Sequence, residues 1–93
     1  MRELIRASGV REPILRPIDI REVAALIGAD TLDTVNLRHG DRVMLVDDAG
    51  HAKGLPINEV ATHLYHSVCR PGTTHPIRGD VVVTFDSDFG GAP

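Results

Sequence analysis

Arg78-Gly79-Asp80-Val81-Val82-Val83-Thr84-Phe85 decides the fold of this chain. A strand with one wet face alternates apolar and polar residues, whereas Val81 to Phe85 carries no charge and no alternation. Such a run reads as a strand covered on both sides and central in its sheet. The flanking sequence must then supply neighbouring strands and the layers that cover it.

Upstream, Arg42 to Asp47 is rich in Val, Met and Leu, and Thr31 to Arg38 alternates around Val35 and Leu37. His39-Gly40 lies between them, which predicts a hairpin. Near the start, Arg2 to Ala7 and Val10 to Arg16 flank Ser8-Gly9 and predict a second hairpin, because Gly tolerates the positive φ of a tight turn. Pro13 has no backbone donor, so the second strand of that pair belongs at an edge or a bulge.

Two helices complete the pattern. Pro17 introduces the first, with Asp19 as cap, Glu22 three residues on, and Ile18 and Val23 spaced as a hydrophobic staple. Ile20, Val23, Ala24 and Ile27 recur at helical spacing and Gly28 offers a left-handed exit, so the helix covers 20–27. The second follows Asp48-Ala49-Gly50 and Gly54-Leu55-Pro56. Asn58 caps it, a task Asp or Ser also performs. It covers roughly 59–69 with Val60, Ala61, Leu64 and Val68 in one stripe, and Arg70-Pro71-Gly72 stops it. Thr73 to Pro76 is a loop. The expected architecture is α+β: one sheet of four to five strands with two helices on one face, in the order strand-strand-helix-strand-strand-helix-strand. Residues 1–85 form a single domain, and 86–93 a flexible tail. Val23, Ile27, Val35, Leu45, Val60, Leu64, Val68 and Val82 are the expected core.

Composition bounds the function. Of 93 residues, 27 are Ile, Leu, Val or Phe, above the roughly 20% floor for a folding chain. The net charge of −3 argues against a nucleic-acid binder working through a basic surface. The lone Cys69 excludes an internal disulfide framework and a four-cysteine zinc site. No run nears the roughly 20 apolar residues that span a bilayer, and Met1 to Ile5 lacks a signal-peptide pattern. A soluble cytoplasmic protein is expected.

Several constellations invite chemistry. His63, His66 and Cys69 recur every three residues on the second helix, but successive members rotate about 60° apart and converge poorly on one metal. Solvated histidines and an inert helix-end thiol are the plainer alternative. Asp47 and Asp48, with Asp86 and Asp88, supply carboxylates for acid–base work or a divalent cation. Asp also collects at turns for local hydrogen-bonding reasons. Arg2, Arg6, Arg11 and Arg16 place four of the ten basic residues on the first hairpin, a surface for an anionic ligand or protein, or a solvated face. There is no nucleophile elbow, P-loop or dinucleotide fingerprint, and His39-Gly40-Asp41 and Arg78-Gly79-Asp80 read as turns. No catalytic residue and no cofactor is expected.

Val46-Asp47-Asp48-Ala49-Gly50, then Gly54-Leu55-Pro56-Ile57-Asn58-Glu59-Val60-Ala61-Thr62, then Ile77-Arg78-Gly79-Asp80-Val81-Val82-Val83 form a distinctive series. Leu26-Ile27-Gly28-Ala29 and Val35-Asn36-Leu37 extend it upstream. The series resembles domain of unknown function 3846, a family of small uncharacterised proteins of phages and bacterial mobile elements. It spans roughly residues 18–85. Family members more often carry a second Gly at the position of Ala29, and Asn or Asp with Glu at Asp47-Asp48. The resemblance implies a phage or mobile-element setting and transfers no catalytic residue. Three functions are weighed. The first is a non-enzymatic accessory or modulator protein binding a protein partner, with a homodimer possible. The second is a small-ligand binder, such as one sequestering a nucleotide. The third is a metal-dependent hydrolase using Asp47, Asp48 or the helix histidines.

Overall fold

A computed structural model describes residues 2–37, 41–68, 72 and 75–89. The elements are β1 (Arg2–Ile5), β2 (Arg11–Ile14), α1 (Ile20–Ile27), β3 (Leu32–Asn36), β4 (Arg42–Asp47), α2 (Glu59–Val68) and β5 (Val81–Phe85), followed by a 3₁₀ turn at Asp86–Phe89. The five strands form one antiparallel sheet in the order β2-β1-β5-β4-β3. The apolar run of β5 is the middle strand, and Val81 to Thr84 are all buried.

Alternation along the strands sorts the side chains into two cores. Leu4, Leu45 and Val82 gather with Ile18, Val23 and Ile27 beneath α1. Ile5, Met44, Val46, Val81 and Val83 gather with Ala61 of α2, Leu37 and Ile77. Leu4 and Ile5 are consecutive residues, as are Val81 and Val82, so the two cores occupy opposite faces. The expectation of both helices on one face is therefore corrected: α1 covers one face and α2 the other. The reason lies in β5 itself, since a strand apolar on both sides needs a layer over each.

Helix α1 begins and ends as its residues dictate. Asp19 accepts from the Glu22 N–H at 2.9 Å while Glu22 reaches back to the Asp19 N–H, and Gly28 takes a left-handed φ of 67°. The helix crosses from edge strand β2 to edge strand β3 over one face. At the first hairpin, Arg6 N–H donates to Val10 O and Gly9 N–H to Arg6 O. These bonds fix which pairs of β1 and β2 are hydrogen-bonded, and Pro13 opposite Glu3 falls at a non-bonded pair. Its nitrogen faces away from β1, so the proline blunts the open edge of the sheet.

Two further expectations are corrected. Val23, Ile27, Leu45 and Val82 are buried, but Val35, Val60, Leu64 and Val68 are only half-buried. Ala61 is the buried residue of α2, its short side chain sitting in the core with Ile5, Met44 and Val81 while the larger Val60, Leu64 and Val68 pack against that core from the outside. Asp86–Phe89, expected within the tail, form the 3₁₀ turn, fastened by Asp88. Residues 90–93, the His39-Gly40 turn, Arg70-Pro71 and Cys69 lie outside the described residues.

Candidate functional site

The arginines of the first hairpin are occupied. Arg2 grips Asp88 with two bonds, Nε to Oδ2 at 2.6 Å and Nη2 to Oδ1 at 2.9 Å, and its guanidinium lies 5.1 Å from the Phe85 ring centroid. Arg6 joins Glu12 at 2.6 Å and Asp80 at 3.2 Å. Arg11 pairs with Glu3, and Arg16 with Glu22. The basic cluster is thus neutralised by its own carboxylates. The bond from Arg2 holds the Asp88 carboxyl at about 2, below its ordinary 3.8 and against the opposing pull of burial. The Thr84 hydroxyl and Phe85 N–H also donate to Asp88.

The four acids do not assemble. Asp47 ends β4, whereas Asp86 follows Phe85, which pairs with Arg42 at the other end of that strand. Five residue steps separate those ends, about 17 Å along an extended strand. Asp47 is buried, accepting from Ala49 N–H at 2.8 Å and from Lys53 Nζ at 2.7 Å. Lys53 also donates to Gly28 O, clamping the exit of α1. Asp48 is exposed, and its backbone N–H donates to Thr31 O. On α2, His63 is exposed, while the His66 ring bonds the His75 carbonyl oxygen at 2.8 Å and leans on Tyr65. Among the described residues no group of three or more His, Cys, Asp or Glu is arranged to hold a metal.

Asn58 caps α2 as its sequence position predicts, with Oδ1 accepting from Ala61 N–H at 3.0 Å. It does more than cap. The side chain is fully buried, and Nδ2 donates to Ile5 O at 3.0 Å and to Gly79 O at 2.9 Å. Only an amide accepts on one side and donates twice on the other. The expected tolerance of Asp or Ser is therefore corrected: Asn58 ties α2 to β1 and to the turn before β5. Gly79 completes that junction at φ 84°, where a Cβ would stand 2.8 Å from Leu55 Cδ1.

Two surface features escape the sequence reading. The first is an open groove of about 650 Å³ between β2 and α1, lined by Pro13, Ile14, Leu15, Ile18, Ala25 and Leu26, with the Arg16–Glu22 pair at its rim. Leu15 is 89% exposed and Leu26 44%. The available signal was the consecutive Ile14-Leu15 at a strand end, since neighbours in an extended chain cannot both face one core. The second is a cleft of about 170 Å³ in which Asp48, Gly50, His51, His75, Ile77 and Arg78 meet. No sequence pattern marks it, because its walls come from two distant turns.

Comparison of the chain with protein-family models, curated proteins and solved structures finds no match. Among the described residues no helix is long and apolar enough to cross a membrane.

Proposed function

We propose that this chain is a small non-enzymatic modulator that binds a protein partner in the groove between β2 and α1. The occupant is an amphipathic helical segment presenting aliphatic side chains. The observation that carries this reading is Leu15, almost wholly exposed beside a groove of Pro, Ile, Leu and Ala. Large aliphatics grouped on a small domain's surface mark interaction sites. The volume exceeds one side chain and suits one face of a helix. A partner adding a strand is disfavoured by Pro13, which withholds a donor at that edge.

The occupied state of the charged residues supports a binding role over a catalytic one. Arg2, Arg6, Arg11, Arg16, Asp47 and Asp88 are each held in an ion pair, and Asn58 spends its whole amide on backbone. The phage or mobile-element setting implied by the Gly54–Thr62 and Ile77–Val83 segments belongs to the same proposal. The test is affinity purification with tagged wild-type chain and with a Leu15→Glu, Leu26→Glu variant of unchanged thermal melting. A protein retained by the wild type and lost by the variant is the expected result. Equal retention by both, or only a second copy of the chain in the complex, overturns the reading.

A further inference from the structure

We infer that Asp33 guards the open edge of the sheet and keeps β3 from pairing with β3 of a second copy of this chain. Among the described residues no strand lies beyond β3. The register shows which of its backbone groups face that open side. Leu37 N–H donates to Arg42 O and Asp48 N–H to Thr31 O, both at 3.1 Å, so these two pairs are of the bonded kind. Bonded and non-bonded pairs alternate along an antiparallel ladder. Asp33 and Val35 therefore turn their N–H and C=O toward β4, whereas Leu32, Thr34 and Asn36 turn theirs outward. Thr34 is the middle residue of the strand, and its outward N–H is already taken: it donates to Asp33 Oδ1 at 2.9 Å. An incoming strand must bring a carbonyl oxygen to that N–H, and it meets a carboxylate oxygen instead.

The sequence around β3 shows what is kept out. Thr31-Leu32-Asp33-Thr34-Val35-Asn36-Leu37 holds β-branched and aliphatic residues, no proline and no glycine, and Asp33 is its single charge. Runs of about six or seven residues with that composition pair with copies of themselves. Asp33, Thr34 and Asn36 are exposed, so the edge is accessible to a second chain. Antiparallel pairing of two copies about a two-fold at Thr34 sets Thr34 against Thr34 and Asp33 against Val35. No carboxylate then lies directly opposite another. What bars this register is the occupied donor rather than like-charge repulsion. The other edge of the sheet is closed by different chemistry, the missing donor of Pro13 on β2. Strand addition is thus barred on both sides, and the guard at β3 operates whether or not the groove at β2 takes a helix.

Three variants at exposed positions separate the bond from the charge. Asp33→Ala removes both. Asp33→Asn keeps an oxygen acceptor without the charge, and Asp33→Ala combined with Thr34→Pro removes the donor that pairing needs. Proline is accommodated at Thr34 because the N–H there makes no bond to β4. The full chain and each variant are followed by light scattering over a range of concentrations, with exchange of the Thr34 amide read by NMR. Wild type and Asp33→Asn stay monomeric. In dilute Asp33→Ala the Thr34 amide exchanges about twofold to tenfold faster, the factor that one solvated hydrogen bond is worth. On concentration the alanine variant dimerises and the same amide becomes protected, and adding Thr34→Pro restores the monomer. An Asp33→Ala chain that stays monomeric, an Asp33→Asn chain that dimerises as readily, or a dimer that survives Thr34→Pro overturns the inference. So does a wild-type chain whose Thr34 amide becomes protected on concentration.

Discussion

Replacing Asn58 with serine separates the two roles of its side chain. Serine keeps an oxygen that accepts from the first turn of α2, so the cap survives. It cannot reach Ile5 O and Gly79 O together, bonds that the amide makes at 3.0 and 2.9 Å in a fully buried setting. Gly79 O then lacks a donor, at about 1–3 kcal/mol for a buried polar group left unsatisfied, and Ile5 O loses a contact worth about 0.5–1.5 kcal/mol. Asn58→Ser should therefore destabilise by about 2–4 kcal/mol. Asn58→Ala also loses the cap and should lie about 1 kcal/mol lower. Asn58→Asp keeps the cap but turns an oxygen toward two carbonyl oxygens, so it should be no better than alanine. Urea denaturation at neutral pH, with midpoint and slope fitted for all three variants, measures these differences. A serine variant within about 0.5 kcal/mol of wild type would reduce Asn58 to a simple cap and refute the junction.

Other variants probe neighbouring parts of the argument. The depressed Asp88 carboxyl, at about 2 against 3.8, makes stability complete above about pH 4 and lost as pH falls toward 2. Acid titration should show wild type losing up to about 2 kcal/mol more than Asp88→Asn in that window, with the lowered Glu22 carboxyl titrating in both. Parallel curves for the two would remove the Arg2–Asp88 pair from the account. Gly79→Ala combines a positive φ with a Cβ 2.8 Å from Leu55 Cδ1, so melting should report about 2–4 kcal/mol lost. Adding Leu55→Ala should recover part of the overpacking, and strict additivity would contradict the contact. On α2, Leu64→Ala should cost about 1–2 kcal/mol, below the roughly 2–5 of a fully buried leucine, since Leu64 is half-buried. Ala61→Leu at that fully buried position should cost about 1–3 kcal/mol, and a change under about 0.5 kcal/mol would misplace the helix.

Local chemistry makes much of the fold legible in the sequence. The capping box of α1, the extent of β4 and β5, and the edge position of β2 all follow from signals within a few residues. The facing of the helices did not. Val81 to Phe85 implied cover on both sides, but a helix pattern does not say which face of the sheet it will meet. The dual role of Asn58 was hidden for a related reason. A cap is visible from spacing to Ala61, whereas bonds to Ile5 and Gly79 depend on approaches 53 and 21 residues away. The arginine cluster looked available in sequence because the hairpin register that brings Glu3 to Arg11 and Glu12 to Arg6 is not read from spacing alone. Asp80 and Asp88, which hold Arg6 and Arg2, lie at the far end of the chain. The Arg78 cleft is still more remote from local pattern, being formed where the Gly50–His51 turn meets the His75–Arg78 segment.

The central claim, that a protein partner docks between β2 and α1, is tested most directly by site-specific photocrosslinking in cells. A photoreactive phenylalanine analogue is placed at Leu15 in the groove, and in a second chain at the exposed His63 of α2. The account predicts one heteromeric adduct from position 15 and none from position 63. An adduct from position 63 alone, or only chain-to-chain adducts from position 15, would contradict it.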